Sequence, residues 1–349
     1  MQIQHDISLK TLNTFGVDVT ARYYARAASV DDVRCALAWA GENRVPVIVL
    51  GGGSNILFTR DPDALVLHVA LRGITERALE GGKRLVTAAA GESWPDLVWW
   101  AVERGYGGIE NLSMIPGTLG AAPVQNIGAY GAEFRDVCAG VTALNCKSGG
   151  SGGNGGSGAI REFSPEECRF GYRDSIFKRE AGEWIVLAAS MLLDPAAPLH
   201  TGYGALREKL EAAASSGAAL PTYADVARAV ADIRTEKLPA PENLGSAGSF
   251  FKNPVVSVDA YRKLCDTYPE LPGFEQGGMV KLSAAWLLDR AGWKGKRRGD
   301  AGCYAMQPLV LVNYGRASGD ELLRFSLAVQ EDVAQRFGVE LEREAVVYP

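Results

Sequence analysis

Val45-Pro46-Val47-Ile48-Val49-Leu50 runs directly into Gly51-Gly52-Gly53-Ser54-Asn55. The first six residues read as a short apolar strand, and the next five as the loop that ends it. A glycine loop after a strand can turn successive backbone N–H groups toward an anion, and Ser54 and Asn55 add side-chain donors. A tight hairpin accounts for the same glycines. The spacing is not Gly-x-Gly-x-x-Gly and the acidic ribose partner is not evident, so a Rossmann fold is disfavoured. The missing Gly-Lys-Ser/Thr excludes a P-loop.

Outward from that loop, helices and strands alternate. Ser29-Val30-Asp31-Asp32 has the form of a capping box and opens a helix with Val33, Ala36, Leu37 and Ala40 on one face. Ile56–Phe58, Leu65–Leu67, Leu85–Ala90, Val141–Asn145, Ile160–Phe163 and Ala188–Leu193 read as strands. A helix capped near Ser93 carries Leu97, Val98 and Val102; its Trp99-Trp100 pair reads as packing. Helices are expected over Tyr203–Ala214, from Thr222 to Lys237 before Pro239 and Pro241, and near Tyr261–Tyr268 and Ala284–Ala291. Ser249–Val258, Val280–Leu282 and Leu309–Val312 are strand-like, and Ser318-Gly319-Asp320-Glu321 caps a helix to Phe337. Ser148 to Gly158 is all Gly, Ser and Asn, the composition of a flexible linker. An α+β chain follows, in more than one domain at 349 residues.

The composition narrows the function classes. Apolar residues make up 47% and charged residues 22%, as in a soluble globular protein. A net charge of −5 gives no basic footprint for nucleic acid, and no apolar run is long enough to span a membrane. Met1-Gln2-Ile3-Gln4-His5-Asp6 lacks the pattern of a secretory signal, so a cytoplasmic protein is expected. Six cysteines without a CxxC pair, and three distant histidines, fit neither a disulfide framework nor a metal site; reduced, mostly buried thiols are expected.

Two further stretches carry chemistry. Ile115-Pro116-Gly117-Thr118-Leu119-Gly120-Ala121-Ala122 and Gln125-Asn126-Ile127-Gly128-Ala129-Tyr130-Gly131 are poorly periodic and rich in small residues, as where a backbone wraps closely around a ligand or turns tightly. Gly245-Ser246-Ala247-Gly248-Ser249-Phe250-Phe251-Lys252-Asn253-Pro254 sets a hydroxyl beside a double aromatic, a cation and an amide. With Leu12-Asn13-Thr14-Phe15-Gly16 and Arg169-Phe170-Gly171-Tyr172-Arg173-Asp174-Ser175-Ile176-Phe177-Lys178, these segments resemble, in order, the UDP-N-acetylenolpyruvoylglucosamine reductase (MurB) family, of the type with a tyrosine loop closing over substrate.

The resemblance implies a two-subdomain FAD-binding fold of the vanillyl-alcohol-oxidase/MurB type (residues 1–70 and 71–219) with a C-terminal α+β substrate-binding domain (220–349) whose last residues return to the active site. It implies non-covalent FAD, NADPH as co-substrate, and reduction of the enolpyruvyl ether of a UDP-sugar to UDP-N-acetylmuramate for peptidoglycan. FAD contacts would come from Gly51, Gly52, Gly53, Ser54, Asn55, Ile115, Pro116, Gly117, Thr118, Ala121, Asn126, Gly128 and Ala129. Ser249 matches the proton donor, Arg173 the arginine at the substrate carboxylate, and Glu344 the acidic partner, with Glu342 as the neighbouring alternative. Tyr172, Tyr203, Lys237, Asn253, Lys294 and Gln307 match substrate contacts; Lys252 is expected to be structural or solvent-facing. A monomer without metal, membrane or nucleic-acid partners is expected. Another FAD oxidoreductase of the same fold, or a catalytically silent sugar-nucleotide binder, are the competing readings.

Overall fold

Strand Val47–Leu50 forms where the sequence places it and pairs in parallel with Leu65–Val69. Thr20–Ala27 joins the other side of Leu65–Val69, also in parallel, and Gln4–Ser8 completes a four-stranded sheet. The helix Val30–Asn43 packs its Val33, Ala36 and Ala40 face into the core, and its Ser29/Asp32 capping box is complete. A second sheet runs Ile160–Phe163, Cys138–Asn145, Trp184–Leu193, Arg84–Ala89, Ile74–Ala78, antiparallel throughout. Its central strand, Trp184–Leu193, begins four residues earlier than the apolar run suggests, because Trp184 still pairs with Asn145. Core side chains of both sheets and of helix Trp94–Val102 merge into one cluster around Trp94, Leu97, Val98, Phe134 and Phe163.

The computed structural model describes residues 1–146, 158–214, 220–240 and 243–348. The Gly/Ser insertion reading therefore falls, apart from Gly158, outside the described residues. The chain divides into two units. The first comprises Met1–Ile7, Ala21–Gly52 and Asp63–Glu236; the second comprises Ser8–Thr20, Gly53–Pro62 and Lys237–Pro349. The division falls inside the glycine run, after Gly52.

In the second unit, Gly245–Ser249, Val310–Asn313, Ala301–Cys303 and Arg297–Arg298 form an antiparallel sheet. Val255–Ser257, Met279–Leu282 and Gly273–Gln276 form another, and Ile56–Phe58 pairs in parallel with Val346–Tyr348. The single strand expected over Ser249–Val258 is thus two. Ser249 ends the first, and Asn253-Pro254 separates them, since proline has no N–H for the ladder. The following helix starts at Val258, earlier than expected, because Ser257 caps it by accepting from the Ala260 N–H. Phe250 and Phe251 are buried core filler, and helix Gly319–Phe337 buries Phe325, Val329 and Val333.

All six cysteines are free thiols: Cys138, Cys168 and Cys303 are buried, Cys146 and Cys265 are half-buried, and Cys35 is exposed. Burial pushes the Cys303 thiol up to about 12. Among the described residues no helix is long and apolar enough to cross a membrane, and no cluster of His, Cys, Asp and Glu forms a metal site.

Candidate active site

The first unit gathers four of the sequence-selected segments. A Cβ on Gly51 would stand 2.6 Å from Thr118 Oγ1, and one on Gly52 would stand 2.8 Å from Gly117 Cα. These glycines therefore let the 115–118 turn lie directly against the strand end. The Gln125–Gly131 loop is knotted by Asn126, which is completely buried. Its Nδ2 donates to Glu133 Oε2 (2.9 Å) and Gly171 O (3.0 Å), while its Oδ1 accepts from the Arg135 N–H (2.9 Å). With its amide so committed, contact between Asn126 and a cofactor falls to its main chain.

Arg173 is presented by the same knot. Its Nη2 donates to Gly128 O at 2.6 Å, its own carbonyl accepts from Lys178 Nζ at 3.0 Å, and its φ is +53°. Gly128 is confined as well, since a Cβ there would come within 3.0 Å of the Arg173 guanidinium. A left-handed arginine is costly and persists only where its surroundings over-determine it, as they do at binding sites. Tyr172, half-buried, lies under the guanidinium at 5.4 Å. Tyr203 is 52% exposed, with its ring edge-to-face on Tyr130 at 5.2 Å.

Sequence reasoning passed over Arg234. It lies in helix Tyr223–Lys237, four residues after buried Val230, so its place on the inward face was legible. Its buried Nε has no hydrogen-bond partner. Burial pulls its pKa below the ordinary arginine value, Tyr130 opposes that shift, and the like charge of Arg173 adds to it. A guanidinium with an orphaned buried N–H asks for an anion. The loop glycines and this orphan fit a cofactor carrying phosphates.

In the second unit Thr14 ties the glycine run to the strand Gly245–Ser249. The Thr14 N–H donates to Gly53 O (3.0 Å), its hydroxyl donates to Ser246 O, and its carbonyl accepts from the Ser246 N–H (2.9 Å). Gly53 has φ +63°, and a Cβ there would collide with Leu12 O. The segment after Ser246 is laddered on both sides. Ser249 pairs with Val310, and the Phe250 N–H donates to Leu309 O (2.8 Å). On the other side the Glu344 N–H donates to Phe250 O (2.8 Å), and the Lys252 N–H donates to Glu342 O (2.9 Å).

Glu344 is anchored a second time, because Asn55 Nδ2 donates to its carbonyl (3.2 Å). Ser249 is exposed and Glu344 half-buried. Glu342 differs: its carboxylate is exposed and paired with Lys252 Nζ, which agrees with a structural role for Lys252. Asn253 Oδ1 accepts from the Ala284 N–H (3.0 Å) at the start of helix Ala284–Arg290, leaving Nδ2 as its donor toward a ligand. Gln307 is tied in through its carbonyl, which accepts from the Val310 N–H (3.0 Å). Lys237 is exposed at a helix end. Lys294 stands on the surface, paired with Asp289 at 3.4 Å.

Residues 240–348 match the family model of the UDP-N-acetylenolpyruvoylglucosamine reductase C-terminal domain, and residues 21–150 match an FAD binding domain. A UDP-N-acetylenolpyruvoylglucosamine reductase of Pseudomonas fluorescens is 49% identical over 349 residues, covering 100% of this chain and 99% of the relative. One from Chromobacterium violaceum is 45% identical, covering 99% of each. Among solved structures, the reductase of Thermus caldophilus superimposes with a TM-score of 0.67 over 100% of both chains at 24% identity, which speaks for the fold. Full-length relatives, both domain models and the geometry agree that this chain belongs to the UDP-N-acetylenolpyruvoylglucosamine reductase family.

Proposed function

We propose that the chain reduces the enolpyruvyl ether of UDP-N-acetylglucosamine to UDP-N-acetylmuramate, with FAD bound and NADPH as reductant. The observation that carries the reading is the ladder joining Ser249–Lys252 to Glu342–Glu344, which sets a hydroxyl and a carboxylate on neighbouring segments. Bound FAD would supply the hydride chemistry that reduction of the enol ether needs, with NADPH as the source of electrons.

The chain's own residues do the remainder. Gly51, Gly52 and the turns 115–118 and 126–129 would hold the cofactor without a covalent tether, with Gly53, Ser54 and Asn55 continuing the loop. Arg173 balances the negative charge that grows on the substrate carboxylate, where a rigid, permanently charged fork suits a planar anion. Ser249 Oγ–H gives its proton to the carbon next to that carboxylate, so hydride and proton together saturate the double bond. A serine hydroxyl is a weak acid, and it serves only because the acceptor is strongly basic and closely placed. Glu344, rather than the Lys252-bound Glu342, polarises the enol. Tyr172, Tyr203, Lys237, Asn253, Lys294 and Gln307 supply donors and packing for the sugar nucleotide. We read the protein as a cytoplasmic monomer.

The test is direct. Purified protein should show a flavin spectrum that NADPH bleaches, with colour returning on addition of the enolpyruvyl sugar nucleotide under anaerobic conditions. A protein that cannot be reconstituted with FAD would sink the reading. So would a flavin that NADPH reduces but the sugar nucleotide leaves bleached.

A further inference from the structure

Asn111 is 1% exposed, in the short turn Glu110–Leu112, and belongs to none of the segments selected from the sequence. Its Nδ2 donates twice: to Tyr130 O at 2.9 Å and to His200 O at 2.8 Å. Only the NH2 end of the amide can donate, so two carbonyls facing one nitrogen fix its orientation. Its Oδ1 is buried without a hydrogen-bond partner, as are Glu110 Oε1 and Ser113 Oγ beside it. A buried amide that leaves its acceptor unpaired to hold two carbonyls is kept for what those carbonyls carry.

One of them belongs to the loop that ends at Gly131 and includes Gly128, the acceptor of Arg173. The other lies three residues before Tyr203. The two strands of this junction meet again at their tips, where the Tyr203 ring stands edge-to-face on the Tyr130 ring. Tyr203 is otherwise exposed, and its own carbonyl accepts from the Arg207 N–H at 2.9 Å as the helix Gly204–Ala214 begins. In the short approach from Leu199 to Gly202, Leu199, like Tyr130, packs at the edge of a small cluster that includes Leu206 and Val230.

We propose that Asn111 is a positioning residue: one amide latches the segment carrying Tyr203 to the loop carrying Tyr130, and thereby sets where Tyr203 meets the sugar nucleotide. The proposal rests on Tyr203 being a substrate contact. Asn111 acts through the two main chains and touches neither substrate nor cofactor. Its removal frees the His200 end of the segment and leaves the ring contact and the Leu199 packing, so the substrate-binding position of Tyr203 becomes one of several. Binding then carries the cost of selecting it, and the apparent affinity falls by the fraction of chains that hold the position.

Asn111→Ala tests this, with Asn111→Ser in its place if the alanine variant does not fold; the shorter serine hydroxyl cannot span both carbonyls. Amide hydrogen exchange should accelerate at residues 199–203. The KM for enolpyruvyl-UDP-N-acetylglucosamine should rise about tenfold, the effect of one hydrogen bond's worth of positioning. A general loss of structure would instead lower flavin content and kcat together. In the double variant with Tyr203→Ala, the Asn111 substitution should add nothing further to KM, because its effect passes through that ring. Unchanged exchange at residues 199–203, or KM effects that simply multiply in the double variant, would overturn the proposal. If Tyr203→Ala alone leaves KM unchanged, the substrate role of Tyr203 falls, and the exchange result by itself decides whether Asn111 is a latch.

Discussion

The two units hold their candidate residues by different means. In the first, side chains do the holding. Asn126, Asn111 and Arg173 each bond main-chain carbonyls of other loops, and the backbone is bent to suit. Among the described residues, every non-glycine residue with positive φ lies in this unit, and Met114, Asn126, Tyr130, Arg169 and Arg173 fall on or beside the selected loops. In the second unit the ladder does most of the holding, with Asn55 and Thr14 adding one side-chain bond each. Ser249 and Glu344 are placed by main-chain bonds to Val310, Leu309 and Phe250, and left-handed backbone is confined to glycines such as Gly53 and Gly248. A proton donor needs only a fixed strand end beside its acceptor. An anion-binding arginine held on a loop needs its fork aimed, and that takes strain and buried amides.

The largest expected effect breaks the symmetry between them. Ser249→Ala removes one hydroxyl from a laddered segment and should leave folding, flavin content and reduction by NADPH in place. Turnover of the sugar nucleotide should drop by about 10²–10⁴, the range for a positioned general acid. Arg173→Lys should lower kcat/KM by about 10²–10³, as for a lost electrostatic donor, and should also loosen the Gly128 loop. Stopped-flow measurement of the two half-reactions separates them. If Ser249→Ala slowed both halves equally, its role would be structural and the comparison would fail.

The glycine run sharpens the same contrast, because it belongs to both units. Gly53→Ala faces two obstacles: a φ of +63° and a collision with Leu12 O. The loss should be about 2–4 kcal/mol of stability, combining left-handed strain with overpacking. Gly52→Ala has no such φ and meets the Gly117-Thr118 backbone, nearest at 2.8 Å. It should cost about 1–3 kcal/mol, as overpacking alone does, and show itself as weaker FAD retention. Chemical denaturation followed by flavin fluorescence would rank the two, and the reverse order would mean that the loop's strain sits in the first unit.

Which parts were legible follows from the range of the interactions. Capping boxes at Ser29 and Ser318 and the strand before Gly51 are local, and they formed as read. Pro254 announced the break that splits the strand after Ser249, but its consequence was underread. The ladder partners of Ser249–Lys252 come from Leu309–Val310 and Glu342–Glu344, far along the chain, and no periodicity announces them. The order of motifs pointed to Ser249, Arg173 and Glu344 through family resemblance, whereas it gave no reason for Asn111. A buried asparagine between apolar neighbours looks like any turn until the carbonyls it serves are in place. Arg234 was legible on helix periodicity alone, since it shares the face of Val226, Val230 and Ile233.

Glu110, next to that asparagine, offers the smallest and most specific test of the side-chain-held half. It is 1% exposed; its Oε2 accepts from the Gly108 N–H at 2.6 Å, and its Oε1 has no partner. Burial raises its pKa above the ordinary carboxylate value, against the opposing pull of the Gly108 and neighbouring N–H groups and of nearby His200. A carboxyl whose folded pKa exceeds its unfolded value binds its proton more tightly when folded. Its contribution to stability is therefore complete below the unfolded value, about 4.3, and is lost as pH climbs through the higher folded value. Each unit of separation is worth about 1.4 kcal/mol. Glu110→Gln keeps an acceptor for Gly108 and has nothing to titrate, so its Tm should decline less than that of the unsubstituted protein as pH rises from 4 to neutrality, with the pH profile of the sugar-nucleotide half-reaction unmoved. Parallel Tm profiles would show that the Glu110 carboxyl binds its proton no more tightly in the folded chain than in the unfolded one.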